Sequence, residues 1–524
     1  MVGKRITICV MSLALICGMC GCVFDNTQAA DPADNQIVLK WVTGGLEEQK
    51  DSAKVWKKFN EELQKYMPGV VVEFECYSTA DYSEKWKLKS VSQEKMDIVW
   101  CGWSLDYVTE VKKGMFLPLD DLIDEYAPDL KKEIPENMLQ KQMVDGELYS
   151  IPCMQQMVSW VPSFDIRLDI YQKYNDIIDL DKIADFFASH DKMDIQCWNE
   201  VEKYIKLLDD NGDLKYGVMG FANNAEKGYE WVRNPYKIEE SGDDYSTINY
   251  YRTPEYKLFT QVYSDWYKKG YIKPNYANSN NAQEEINFEI KSSGGYLIGQ
   301  GYFPTESEIE SAEEMGIEPY VTIPFCGTHY IPYAAAATAV AIPSNCENPE
   351  KAIQLIDLMN TEKGKDLYNL LVYGIENVHY KKVTEDTIIP FGYDYSGVPT
   401  QYTAYGQYKW VIGNTFNAYE IYGDNISPVL KKDFIEKINN EAVPSKLMGF
   451  TLDTTPIKDE LKQVDAVVEE YAPLLNTGFT EDAESVYNEF VEKLIKAGDD
   501  KIIEEINRQI NEWRKTKQEG SLIQ

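Results

Sequence analysis

Apolar positions recur along this chain in two periods, every second residue and every three to four, and the two alternate. Ile37–Val42 reads as a strand, and Ser52–Tyr66 as a helix with Val55, Trp56, Phe59, Leu63 and Tyr66 on one face before the Pro68-Gly69 stop. Val70–Tyr77 returns to period two. Asp81 and Glu84 have capping-box spacing ahead of a helix carrying Trp86 and Val91. Asp97–Cys101 is apolar enough for a strand buried on both faces of a parallel sheet, so the opening stretch predicts βαβ units. Met143-Val144 and Glu147–Ile151 flank Asp145-Gly146, a type I′ hairpin signal. Farther on, Trp198, Val201, Ile205 and Leu208 mark one helix, and Phe259, Val262 and Trp266 mark another between Thr253-Pro254 and Gly270. Gly294–Ile298 and Ala334–Ile342 read as strands, Asn348-Pro349 opens a helix, and the last seventy residues are helical with charged outer faces.

Charge narrows the function. With 52 Lys+Arg against 86 Asp+Glu the formal charge is −34, which repels phosphate backbones and anionic lipid surfaces alike. Nucleic acid is therefore not an expected partner, and a membrane could be reached only through a covalent device. The N-terminus supplies one. Lys4 and Arg5 precede an apolar run from Ile6 to Met19, too short for a mature span, and then Cys20-Gly21-Cys22. Met19-Cys20-Gly21-Cys22 resembles a bacterial lipobox, which implies a signal peptide over residues 1–21, diacylation of Cys22 (a palmitate-type anchor) and a tether over 22–36. Of ten cysteines, Cys76, Cys101, Cys153, Cys197, Cys326 and Cys346 would then remain, without a C-x-x-C. Cys76 and Cys101 sit in apolar strands and read as buried thiols. Three histidines do not make a His-rich zinc centre, although one could still serve. The Asp209–Asp213 turn lacks the spacing of a calcium loop and reads as an Asn-Gly turn. No metal or cofactor is expected.

Phe116-Leu-Pro-Leu-Asp120, Asp145-Gly-Glu-Leu-Tyr-Ser-Ile-Pro152, Ala341-Ile-Pro343 with Asn348-Pro-Glu350, Leu370–Tyr380 and Gly449-Phe-Thr-Leu-Asp453 occur in an order that resembles the extracellular solute-binding lipoproteins of ABC importers. The resemblance is to their carbohydrate-binding group, in the subgroup with an extra C-terminal helical domain. It implies an α/β fold of the periplasmic-binding-protein type (class II), with two lobes about a cleft. The first lobe would comprise 37–152 plus about 324–360, the second 153–323 plus about 361–425, and the helical domain 426–524. The chain would cross between lobes near Pro152, near Ile323 and after Asn360. The resemblance also implies a non-enzymatic, monomeric receptor on the outer face of a bacterial cell membrane that delivers a sugar, expected to be an oligosaccharide, to permease subunits.

Sugars present apolar C–H faces and a rim of hydroxyls, so their sites combine flat aromatic rings with carboxylates and amides. The chain has 11 Trp, 37 Tyr and 18 Phe. The loops that follow predicted strands supply Glu47, Trp103, Gln155, Gln156, Trp160, Trp231 and Tyr302, and the late aromatic region supplies Tyr373, Glu376, Trp410 and Asn414 as ligand-binding candidates. Each aromatic among them could instead pack between elements. Trp56, Trp86, Trp198, Trp266 and Trp513 lie on helical apolar faces and are read as core, and His379 as a satisfied structural histidine. No G-x-S-x-G, H-E-x-x-H or phosphate-loop motif occurs. A surface glycoside hydrolase remains the catalytic alternative, because 86 acidic residues include many possible carboxylate pairs and identify none. A receptor for peptide or another polar solute is the third reading.

Overall fold

Alternating Val, Leu and Trp carry the chain into strand β1 (Ile37–Gly45). The computed structural model describes residues 36–521 except 159–160, 221–224, 274–287, 293, 296–302, 305–308, 310–317, 325–329, 332–337, 394–398 and 423–431. Helix α1 (Ser52–Leu63) buries Val55, Phe59 and Leu63, and strand β2 (Val70–Ser78) then runs parallel to β1 with Phe74 opposite Trp41. Helix α2 (Tyr82–Val91) commits Tyr82 and Trp86 to the core but leaves Val91 in solvent. The capping box expected there does not form. Asp81 makes no side-chain cap bond, and its carboxylate accepts the Ser78 hydroxyl at 2.7 Å instead.

Strand β3 (Ile98–Gly102) is buried throughout, as its apolar run requires. It is parallel to β1 on one side and antiparallel to Thr338–Ala341 on the other, so the sheet is parallel only in part. The order is β2, β1, β3, Thr338–Ala341, Ile151–Pro152. The Met143–Val144 and Glu147–Leu148 strands form the expected hairpin, with φ of +53° at Asp145 and +92° at Gly146, the two positive values a type I′ turn demands.

A second sheet is organised around Val161–Arg167, which pairs antiparallel with Ile290–Lys291, Gly294–Gly295 and Tyr320–Pro324. Its core also takes in helices Ile195–Asp210, capped by Asp194, and Pro254–Lys269, capped by Thr253 and closed by Gly270 at φ +80°. Trp198 and Trp266 meet edge to face at 5.9 Å, in the core as read from their helical spacing. Trp86 is likewise buried, while Trp56 and Trp513 are half-buried against their cores. Cys101, Cys153 and Cys197 are buried free thiols; Cys76 is half-buried, and desolvation pushes its thiol up to about 12.

Apolar side chains gather in two cores, one built by residues 39–157 with 339–421 and Met448, and another by 164–323 with most of 447–510. The chain does not leave the first core after Asn360. A short turn at Glu362–Gly364 reverses it, and a Cβ at Gly364 would lie 1.9 Å from the Leu358 carbonyl oxygen, so only glycine permits so tight a reversal. Helix Lys365–Tyr373 then returns Leu367, Tyr368, Leu371 and Val372 to the first core, against α1 and helix Pro349–Asn360. The late helices Lys458–Thr477, Ala483–Lys496 and Asp499–Ser521 do not build a core of their own. Leu461, Val464, Leu475, Phe490 and Leu494 share the second core, because the apolar stripes of the first two helices face Pro254–Lys269 and the third packs on those two. Fully buried Asp499 fastens this union by accepting from Tyr236 Oη at 2.9 Å, Asn249 Nδ2 at 2.7 Å and Arg252 Nη1 at 2.7 Å. Among the described residues no helix is long and apolar enough to cross a membrane.

Candidate functional site

Because β1 and β3 are parallel, their carboxyl ends share one edge, the place where open α/β sheets put ligands. Both strands end in glycine, and the reason is Trp100. A Cβ at Gly44 would stand 2.4 Å from its ring, and one at Gly102 only 1.7 Å. The fully buried indole fills the space both glycines leave, with Tyr82 edge-on at 5.1 Å and the Tyr82 hydroxyl donating to the Trp100 carbonyl at 2.7 Å.

Three less buried rings rest on this seat. Trp103, 58% exposed, meets Trp100 edge-on at 5.2 Å. Trp410 lies 5.1 Å from Trp103 and 6.3 Å from Trp100, and Tyr408 stacks on Trp410 at 4.9 Å with 10° between planes. The result is an aromatic ledge at the sheet edge. Its two halves come from distant parts of the chain and are tied together by polar bonds. The Gln407 amide accepts from Leu46 N at 3.4 Å and donates to Leu46 O at 3.3 Å, and Gln49 Oε1 accepts from Gly406 N at 2.7 Å. The loop between those ties carries the exposed Glu47.

The other candidates divide. Gln155 and Gln156 are half-buried in the segment leaving the first core; Gln155 donates to Thr338 Oγ1 at 2.8 Å, and its carbonyl accepts from Asn439 at 2.8 Å. Exposed Trp231 stands apart from the ledge rings on the Tyr229–Arg233 strand, donating to Glu226 at 3.0 Å with the Lys237 ammonium 4.1 Å over its ring. Glu376 is exposed at a bridge to Tyr380. Tyr373 and Asn414, expected at the site, are instead interior. Tyr373 packs among Tyr380, Tyr393 and Tyr419 and gives its hydroxyl to the Tyr419 carbonyl at 3.0 Å. Asn414 caps the Thr415–Asn417 turn and bonds the Asn360 carbonyl at 3.3 Å. Trp160 and Tyr302 lie outside the described residues. Tyr408 was not among the candidates; the Tyr408-Lys-Trp410 spacing was the available signal.

His379 is structural, as read. Buried, it accepts from Ile375 N at 2.8 Å through Nδ1 and meets Asp51 at 3.1 Å through Nε2. Burial lowers its pKa against the opposing pull of the Asp51 carboxylate. In the 209–213 turn Asp210 pairs with Lys206 at 2.8 Å, Asp213 receives Lys173 and Tyr174, and Gly212 takes φ +73°. Among the described residues one group has the composition of a transition-metal site, His190, Asp194 and Cys197, in the second body.

Two α/β bodies with a ring-lined strand edge define a solute-binding protein. The chain belongs to the bacterial extracellular solute-binding protein family, which it matches over residues 47–366, and residues 446–515 match a domain of unknown function, DUF3502. It is thus a binding protein of an extracellular family rather than an enzyme. A carbohydrate ABC transporter substrate-binding protein of Streptococcus pneumoniae serotype 4 is 21% identical over 523 residues, covering 97% of each chain. The N-glycan transport solute binding protein NgtS of Streptococcus pneumoniae superposes with a TM-score of 0.70 at 19% identity, over 92% of this chain and all of that one. The same organism's FusA, in complex with kestose, gives 0.53 at 16% identity over 91% and 100%. At these identities the two superpositions bear on fold alone.

Proposed function

We propose that this protein is the receptor of an ABC importer and captures an oligosaccharide in a cleft between its two bodies. The observation that carries the reading is the ledge of Trp103, Trp410 and Tyr408, held rigid by Trp100 and bordered by the loop of Glu47. The exposed Trp103 ring, backed by the stacked Trp410 and Tyr408 pair, offers a flat apolar surface suited to the C–H faces of sugars. The carbohydrate transport assigned to the Streptococcus pneumoniae relative supports the same ligand class.

In this reading the lobes are 37–157 with 339–421 and 164–323 with 447–510, and the segment around Gln155 and Gln156 is one hinge. Trp231 and Glu376 contribute from the periphery. Ligand binding favours the closed arrangement, which the permease subunits recognise, and capture requires no catalytic group. The receptor works as a monomer, tethered through 22–36 and held at the outer membrane face by diacylated Cys22 after removal of 1–21. Two acyl chains anchor stably where a surface this acidic would be repelled.

Calorimetric titration of the chain from residue 23 against a panel of oligosaccharides, with the sugars chromatographed afterwards, tests this. Saturable heat with intact sugar is the expected result. Cleavage that survives repurification would refute the receptor, and heat with peptides but no sugar would refute the ligand class.

A further inference from the structure

The loop joining helix Leu180–Ala188 to helix Ile195–Asp210 brings three chemically distinct metal ligands together, far along the chain from the ledge residues. One donor atom each of His190, Asp194 and Cys197 lies within 4.8 Å of the other two. The edge of a zinc tetrahedron with bonds of about 2.0–2.3 Å is roughly 3.3–3.8 Å, so a small contraction of the side chains would close the site. We infer that His190, Asp194 and Cys197 form a binding site for a zinc-class divalent cation, with a fourth position open to water.

Each ligand is already constrained. Phe186 O accepts from His190 Nδ1 at 2.8 Å, and the Phe186 ring lies 4.5 Å from the imidazole. A carbonyl can only accept, so Nδ1 carries the proton and Nε2 is the basic nitrogen, the orientation that outer-shell carbonyls impose on metal-bound histidines. Asp194 uses Oδ1 to cap the helix, accepting from Gln196 N at 2.8 Å and Cys197 N at 3.0 Å, and the Cys197 thiol donates to the Lys192 carbonyl at 3.8 Å. Lys192, which could otherwise occupy the carboxylate, is drawn away to Glu239 and to Tyr229 Oη at 3.0 Å. Cys197 is fully buried while His190 and Asp194 are half-exposed, so a cation enters from the histidine side and reaches sulfur last.

Thiolate, imidazole and carboxylate together select zinc-class ions over calcium, which prefers an all-oxygen shell. An ordinary thiol is protonated at neutral pH, so binding replaces S–H with S–metal and releases one proton to solvent for each ion bound.

The test is titration of the reduced, metal-free chain from residue 23 with cobalt and zinc, reading the near-ultraviolet thiolate-to-cobalt band, zinc affinity against a chelator, and proton release. One equivalent of zinc, one proton and a thiolate band are expected. His190→Ala on its half-exposed loop and Cys197→Ser should each weaken zinc at least tenfold, and Cys197→Ser should abolish the band. Circular dichroism reports whether Cys197→Ser still folds; His190→Ala decides the matter if it does not. Absence of saturable zinc binding by the unaltered chain, or zinc affinity unchanged in His190→Ala, would overturn the site.

Discussion

Replacing Gly102 with Ala isolates the seat of the aromatic ledge from every backbone effect. The backbone at Gly102 is outside the left-handed region, so alanine adds only a methyl group, placed 1.7 Å from Trp100 Cζ2 and 2.1 Å from Cη2. Ordinary carbon contact is about 3.5–4.0 Å, so the indole must retreat by roughly 2 Å. It has little room to do so, with Tyr82, Trp103 and Trp410 rings 5.1 to 6.3 Å away. Overpacking of this kind costs about 1–3 kcal/mol, and the closed surroundings place Gly102→Ala at about 3 kcal/mol. At about 2 °C per kcal/mol for a large domain, the midpoint should fall by roughly 6 °C. Gly44→Ala, whose methyl would meet the same ring at 2.4 Å, should cost less. Thermal unfolding followed by tryptophan fluorescence gives the magnitude, and near-ultraviolet circular dichroism reports the ring rearrangement. Adding Trp100→Ala should relieve the clash, so that the double variant is more stable than the sum of the single losses predicts. A Gly102→Ala protein within 0.5 kcal/mol of the parent, with an unchanged near-ultraviolet spectrum, would refute the account of why these strands end in glycine.

Trp410→Ala and Trp103→Ala should each weaken the sugar found by titration at least about tenfold, or 1.4 kcal/mol, while leaving the unfolding midpoint nearly in place. Asp499→Ala strands the Tyr236, Asn249 and Arg252 donors and should cost about 3 kcal/mol by urea denaturation; Asp499→Asn, which keeps an acceptor, should cost less. Burial and the neighbouring Glu230 carboxylate push Glu240 up to about 7. Its folded-state pKa lies above the unfolded one, so its stabilising contribution is complete below about pH 4.3 and is lost as pH rises through 7. Glu240→Gln should accordingly be more stable than the parent by about 2 kcal/mol at pH 8 and indistinguishable at pH 4, a difference read from paired denaturation curves.

Periodicity located most elements because their burial is one-sided and local. β1, β2, α1 and the Asp145-Gly146 hairpin are written in neighbouring residues, and so are the capped helices Ile195–Asp210 and Pro254–Lys269. What it could not supply was destination. The apolar face of Lys365–Tyr373 fits either body, and the reversal at Gly364 that decides the matter depends on a contact with the Leu358 carbonyl. The terminal helices looked self-contained because their stripes are complete, yet those stripes are spent on another helix. At the site, Trp103 and Trp410 were legible as rings in loops. Tyr373 was indistinguishable from them, since a tyrosine can turn its hydroxyl to ligand or to a carbonyl such as that of Tyr419. Trp100 and its glycines were invisible as a unit because their relation is purely three-dimensional.

The Thr338–Ala341 strand, wedged between β3 and Ile151–Pro152, sets a timetable for biogenesis. The segment through Met157 emerges first, but its sheet has no neighbour for β3 on that side until residue 338 arrives. At about 5–20 residues per second the wait is roughly 10–40 s. During that interval the nascent chain presents an unpaired strand edge and an unfinished core. The first body lacks part of its core until residues near 421 are made and the second until residues near 510, so the order of the segments itself delays their closure.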